Sequence, residues 1–126
     1  MNRSEFEAYL LENYACTADN PWLEYPLYTV FRHLDGKWFA LVMEIPRGRL
    51  GLEGDGGIEI VNLKCGPALS GSLRGERGFF PAWHMSKTQW ISAALDGTLS
   101  EDELIPLVDL SFEATKKKKR AKKPTE

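Results

Sequence analysis

The side chains in this sequence with chemical potential are few: His33 and His84, Cys16 and Cys65, and sixteen Lys or Arg residues, seven of them crowded into residues 116–123. Nucleophilic catalysis needs a Ser or Cys beside a base and an oxyanion site, and two histidines and two scattered thiols supply no such pattern. A structural zinc site needs ligands at short, fixed spacings, which His33, His84, Cys16 and Cys65 do not have. Glu5, Glu12 and Asp19 do not form the dense acidic ridge that gathers iron. The expectation is a non-enzymatic protein with no metal and no cofactor.

Recognition of anions remains. Pro46–Gly57 holds five glycines with Arg47 and Arg49 at its tip. It is no phosphate cradle, because no Gly-Lys-Ser/Thr follows and the next element reads as a strand. Two arginines at a loop tip can still touch DNA phosphates, or simply be solvated. His84-Met85-Ser86-Lys87, between Trp83 and Trp90, allows Lys87 to meet a phosphate while an aromatic ring stacks on a base. The same residues also read as a turn closed by hydrogen bonds, with the tryptophans packed in a sheet. Lys116, Lys117, Lys118, Lys119, Arg120, Lys122 and Lys123 form a basic block of the kind that binds nucleic acid. Its first lysines would also meet the negative end of a preceding helix. No amphipathic face or lipidation motif accompanies them, so a membrane role is not expected.

The chain has 126 residues and a formal charge of −2. Residues 1–115 carry seventeen acidic and nine basic side chains, an acidic body of −8 that precedes a basic tail. Charge acts over roughly 8–10 Å at ordinary ionic strength, so the two parts are electrically distinct. The length suits one domain, expected over 1–115 with a disordered tail at 116–126. No apolar run is long enough to span a membrane. Without a secretory profile at the N-terminus, two thiols outside any Cys-x-x-Cys pair point to a reduced, cytoplasmic protein.

The elements that must position these residues follow from pattern. Ser4-Glu5-Phe6-Glu7 reads as a capping box opening a helix to about Ala15, with Phe6, Leu10 and Tyr14 on its apolar face. Asp35-Gly36, between Tyr28–Leu34 and Lys37–Ile45, predicts a two-residue type I′ hairpin. That register puts Val30 opposite Leu41, with Phe39 and Trp38 on opposite faces. Phe39 then shares a face with Arg32 and Val30, and Trp38 with Phe31 and His33. Ile58–Cys65, Phe79–Trp83 and Gln89–Leu95 read as further strands, and Pro67–Leu73 as a short helix. Ser100-Glu101-Asp102-Glu103 caps a last helix with the stripe Leu104, Leu107, Val108 and Phe112, and Pro106 is expected to bend it or to start its regular part. The order predicts an α+β fold: an antiparallel sheet of about five strands with the terminal helices packed mainly on one face.

Val61-Asn62-Leu63-Lys64-Cys65, Pro81-Ala82-Trp83-His84-Met85-Ser86-Lys87, Trp90-Ile91-Ser92 and Leu95-Asp96-Gly97 together resemble the MmcQ/YjbR family of small bacterial proteins. Tyr28–His33, Trp38–Met43 and Leu104–Phe112 are similar to its first hairpin and closing helix, and the likeness covers about residues 1–115. The resemblance implies a frataxin/CyaY-like fold and DNA binding through two wings. The Arg47/Arg49 loop and the Lys87 turn are the segments that could serve. The alternative is a protein-interaction module using the second sheet face around Phe31, His33 and Trp38.

Overall fold

In the computed structural model, which describes residues 1–117, six antiparallel strands form one sheet in the order β1-β2-β3-β4-β6-β5. Helix α1 (Arg3–Asn13) is capped by Asn2 rather than Ser4. The Asn2 side chain accepts the Glu5 amide at 2.9 Å, and the Glu5 carboxylate accepts the Asn2 amide at 3.0 Å. Asn caps as well as Ser does, and Glu5 stands three residues from it as a capping box requires. The helix stops at Asn13, leaving room for β1 (Cys16–Asp19), the strand that the pattern missed. Its sequence, Cys-Thr-Ala-Asp, has little apolar alternation, because an edge strand with mostly exposed side chains needs none.

Strands β2 (Thr29–His33) and β3 (Trp38–Pro46) pair with Val30 opposite Leu41, as expected. The turn differs. The Gly36 amide donates to the His33 carbonyl at 2.8 Å, and the His33 amide donates to Lys37 at 2.8 Å. Gly36 has φ 94° while Asp35 keeps negative φ. This is a three-residue loop, a type I turn completed by a glycine at positive φ, not a type I′ turn. The register therefore starts one residue off, with Arg32 opposite Trp38, and a bulge between Phe31 and Arg32 restores it. The bulge exchanges Phe39 and Trp38 between the two predicted faces and leaves the other pairs where they were expected. Phe39 joins Phe31, Ala40 and Val42, while Trp38 packs with Val30, Leu41 and Met43. The expected patch of Phe31, His33 and Trp38 is thus split between the two sides of the sheet, with Phe31 and His33 buried.

A 3-10 helix (Arg47–Leu50) gives the glycine-rich segment more order than a loose loop, and β4 (Gly57–Lys64) follows. Then come α2 (Pro67–Leu73), β5 (Phe79–Pro81) and β6 (Trp90–Ala94), with β6 inserted between β4 and β5. Helix α3 (Glu101–Ala114) has the expected Ser100–Glu103 capping box and runs through Pro106 without a break. Pro106 and Asp102, whose carbonyl loses its helical partner, are both exposed, so water can serve that carbonyl.

The helices cover one face. Phe6 and Leu10 of α1 and Leu104, Leu107 and Val108 of α3 bury Phe39, Val61, Leu63 and Ile91. The other face has its own cluster of Val30, Leu41, Met43, Ile45, Ile58, Ile60 and Ala94, covered by loop and rim side chains such as Trp22, Leu50, Phe80 and Trp83 instead of a helix.

Candidate nucleic-acid interface

The end of α3 is fixed to the sheet by one hydroxyl. The β3–β4 ladder ends at Ala40 opposite Leu63, leaving the Phe39 carbonyl and the Lys64 amide without each other. Buried Ser111 bridges them: its hydroxyl donates to the Phe39 carbonyl at 2.6 Å and accepts the Lys64 amide at 2.9 Å. One turn later, Thr115 donates to the Ser111 carbonyl at 2.7 Å and contacts His33 Nε2 at 2.8 Å. With the Thr115 proton committed, His33 Nε2 carries the hydrogen. Burial lowers the His33 pKa first of all; Asp35, Glu113 and a hydrogen bond to the Phe112 backbone oppose this, and Lys116 adds to it. The ring packs on Phe112 with centroids 4.2 Å apart.

These contacts deliver the start of the basic block to the sheet. Lys116 and Lys117 share a cleft with Lys37, Lys64 and Trp38. Lys37 comes from the hairpin end and Lys64 from the last residue of β4, where it pairs with Trp90 of β6. Glu113 holds Lys116 at 2.8 Å on the rim, an exposed pair that anions and salt can readily compete with. Lys118, Lys119, Arg120, Lys122 and Lys123 lie outside the described residues.

The turn before β6 is equally fixed. Buried Asn62 donates to the Trp83 carbonyl at 2.7 Å and accepts from the Ser92 hydroxyl, which in turn accepts the Trp83 amide at 3.0 Å. Ser70 of α2 donates to the Lys87 carbonyl at 2.6 Å, and Lys87 Nζ donates to Ala82 at 3.1 Å. Lys87 therefore closes its own turn while staying exposed. His84 packs on Trp83 with ring centroids 4.7 Å apart, and the Arg49 guanidinium lies over the Trp83 ring, 5.9 Å from its centroid. Arg49, His84 and Lys87 are brought together around Trp83. Arg47 turns away: its Nε donates to the Glu53 carbonyl at 2.8 Å. Burial would raise the nearby Asp96 carboxyl, but hydrogen bonds from Thr98 and its own amide, with the Arg47 charge, outweigh it and hold that pKa low. Trp90 stands on the helix-free face at the Lys64 end.

Between the lysine cleft and the His84 turn lies a cavity of about 250 Å³. Trp22, Tyr25, Tyr28 and Trp38 form its walls, Leu41 and Met43 its floor, and His84 and Met85 one side. Sequence reasoning missed Lys37 and Lys64, since single lysines at strand ends carry no spacing signal, and it did not join Trp22 to Trp38, which meet only in the folded chain. Both thiols are free, and burial pushes each pKa up, which makes them weak nucleophiles. Among the described residues, no group of three His, Cys, Asp or Glu side chains converges as metal ligands do, and no helix is long and apolar enough to cross a membrane.

The profile of one family, YjbR, matches residues 11–114. The chain is 39% identical over 117 residues to the uncharacterised protein YyaQ of Bacillus subtilis, covering 92% of this chain and 99% of that one. A crystal structure of a protein from Pseudomonas syringae superposes with a TM-score of 0.88 at 43% identity, over 92% of this chain and 100% of the other. A Deinococcus radiodurans protein shares the fold at 20% identity and a TM-score of 0.69, over 96% of this chain and 83% of that one.

Proposed function

The chain belongs to the YjbR family, and from that premise we propose that it is a non-enzymatic DNA-binding protein whose phosphate contacts start at the cleft of Lys37, Lys64, Lys116 and Lys117 and continue along the basic residues to Lys123. The observation that carries this reading is the convergence of four lysines from three separate parts of the chain on one cleft. The acidic body does not forbid it. Glu101, Asp102 and Glu103 stand at the start of α3, and the lysines begin just past its end. Fourteen helical residues span about 20 Å, roughly two screening lengths, so the acids at one end hardly weaken the field at the other. The helix dipole adds to the separation, with acids at the positive end and cations at the negative end. Arg49, His84 and Lys87 supply a second, smaller set of contacts.

The test is duplex binding by fluorescence anisotropy at low salt. Lys37→Glu and Lys64→Glu are expected to weaken binding strongly, and Arg47→Glu, tied to its own loop, much less. Full binding by both cleft variants would refute the assignment.

A second reading has one observation behind it. Leu23 is 99% exposed and Leu27, four residues on in the same connection, 66%, and exposed apolar side chains there suit a protein partner. Leu23→Asp would abolish that association and leave DNA binding intact.

A further inference from the structure

We propose that the aromatic cavity on the helix-free face receives one unstacked nucleobase of a strand whose phosphates lie on the lysine cleft; this rests on the DNA-binding reading and specifies how that face would recognise its ligand.

The lining selects a flat, apolar-faced group. Trp22 and Trp38 meet edge to face with centroids 5.5 Å apart and 84° between planes, while Tyr25 and Tyr28 stack at 4.7 Å. Four rings around an apolar floor offer stacking surfaces that any base can use. The volume decides the size class. At about 250 Å³ the cavity falls below the roughly 300–1,000 Å³ that drug-sized ligands occupy, which suits one base better than a larger molecule. The polar groups of the lining side chains are the tyrosine hydroxyls, the tryptophan indole N–H groups and the His84 imidazole.

Charge argues against a cation in the same cage. None of the lining side chains is acidic. The Arg32 guanidinium lies 5.5 Å from the Trp38 centroid and is paired with Asp19 at 2.7 Å. An incoming cation would find aromatic faces but no carboxylate in the lining. A base attached to a phosphate finds both, because Trp38 lines the cavity and the lysine cleft alike. The rim is also preformed. His84 holds φ 59°, the sole non-glycine positive φ among the described residues, on a turn anchored by buried Asn62 and Ser92. Such strain persists where the surroundings impose it, as at ligand clamps.

The test compares three probes on the full chain: a thymidine oligonucleotide of roughly ten residues, an abasic strand of the same length, and thymidine 5′-monophosphate. Binding is followed by anisotropy and by tryptophan fluorescence. The base-bearing strand should bind roughly tenfold tighter than the abasic strand and should alone quench the tryptophans. Trp22→Ala and Tyr25→Ala should each bring the two strands to equal affinity, while Lys64→Ala weakens both strands. Tyr25 is half exposed, so its variant carries the test if Trp22→Ala fails to fold. Equal affinity of the two strands on the unaltered protein, with Lys64→Ala still weakening both, overturns the base site and leaves the DNA reading standing. Binding of neither strand overturns the base site, and the DNA reading falls with it only if the duplex fails to bind as well. Monophosphate binding as tight as the strand replaces the strand with a free nucleotide. Self-association lost in Trp22→Ala would make a second copy the occupant and overturn the proposal.

Discussion

At the scale of single residues, two buried polar side chains near the end of α3 determine whether the lysine cleft exists. Ser111 satisfies two backbone groups that the β3–β4 ladder leaves behind. Ser111→Ala removes one hydroxyl but orphans both groups, which should cost about 2–4 kcal/mol in urea denaturation. A loss under about 0.5 kcal/mol would mean that water replaces the hydroxyl. His33 makes the same region sensitive to pH. Its folded pKa lies below the unfolded value, chiefly through burial. Between the folded pKa and the unfolded value of about 6.5 the unfolded chain binds more protons, so stability rises with pH across that window. It falls as the pH drops through 6.5 and levels off below the folded pKa. His33→Gln should flatten this dependence in thermal melts at pH 5 to 7.5. An unchanged slope would assign it to the carboxylates instead.

Elements were legible in the sequence where local chemistry is decisive, and illegible where a partner strand decides. Ser100 and Glu103 mark the start of α3 unambiguously, because both halves of the capping box lie within four residues. Asp35-Gly36 marks the hairpin and correctly pairs Val30 with Leu41. The choice between a two- and a three-residue loop depends on whether Asp35 also takes positive φ, which its residue type permits but does not require. That single ambiguity exchanged Phe39 and Trp38, and with them the outline of the second face. β1 was illegible because it is held by pairing with β2 while its own side chains bury little. The site was legible in its tail lysines and its His84–Lys87 turn, and illegible in Lys37 and Lys64, which meet the tail only where Ser111 bridges Phe39 and Lys64, 72 and 47 residues away in sequence. The loop geometry has its own test. Gly36→Val, forced to φ 94°, should cost about 1–3 kcal/mol. Asp35→Val should lose mainly its bond from the Lys37 amide at 3.1 Å, about 1 kcal/mol. Equal losses would favour positive φ at both positions.

For the whole molecule the question is how an acidic body of −8 and a run of lysines divide the binding of a polyanion. Counterion release gives each neutralised phosphate a slope of about −0.9 in log K against log salt on duplex DNA. Lys37 and Lys64 with the seven cations of residues 116–123 would together give about −8. A chain ending at Lys117 loses five of these and keeps the four-lysine cleft, so its slope should fall to about −3 to −4. Most of the affinity at low salt should go with it, because the body as a whole repels DNA and its cleft attracts only locally. Lys64→Ala in the shortened chain should remove about one further unit of slope. Titrating the full and shortened chains against one duplex at several salt concentrations reads these terms separately. Complete loss of binding on shortening would assign the whole interaction to residues 118–126. An unchanged slope would take the phosphate contacts off residues 118–126 and place them on the folded body, where the Lys64→Ala term separates the cleft from Arg49, His84 and Lys87.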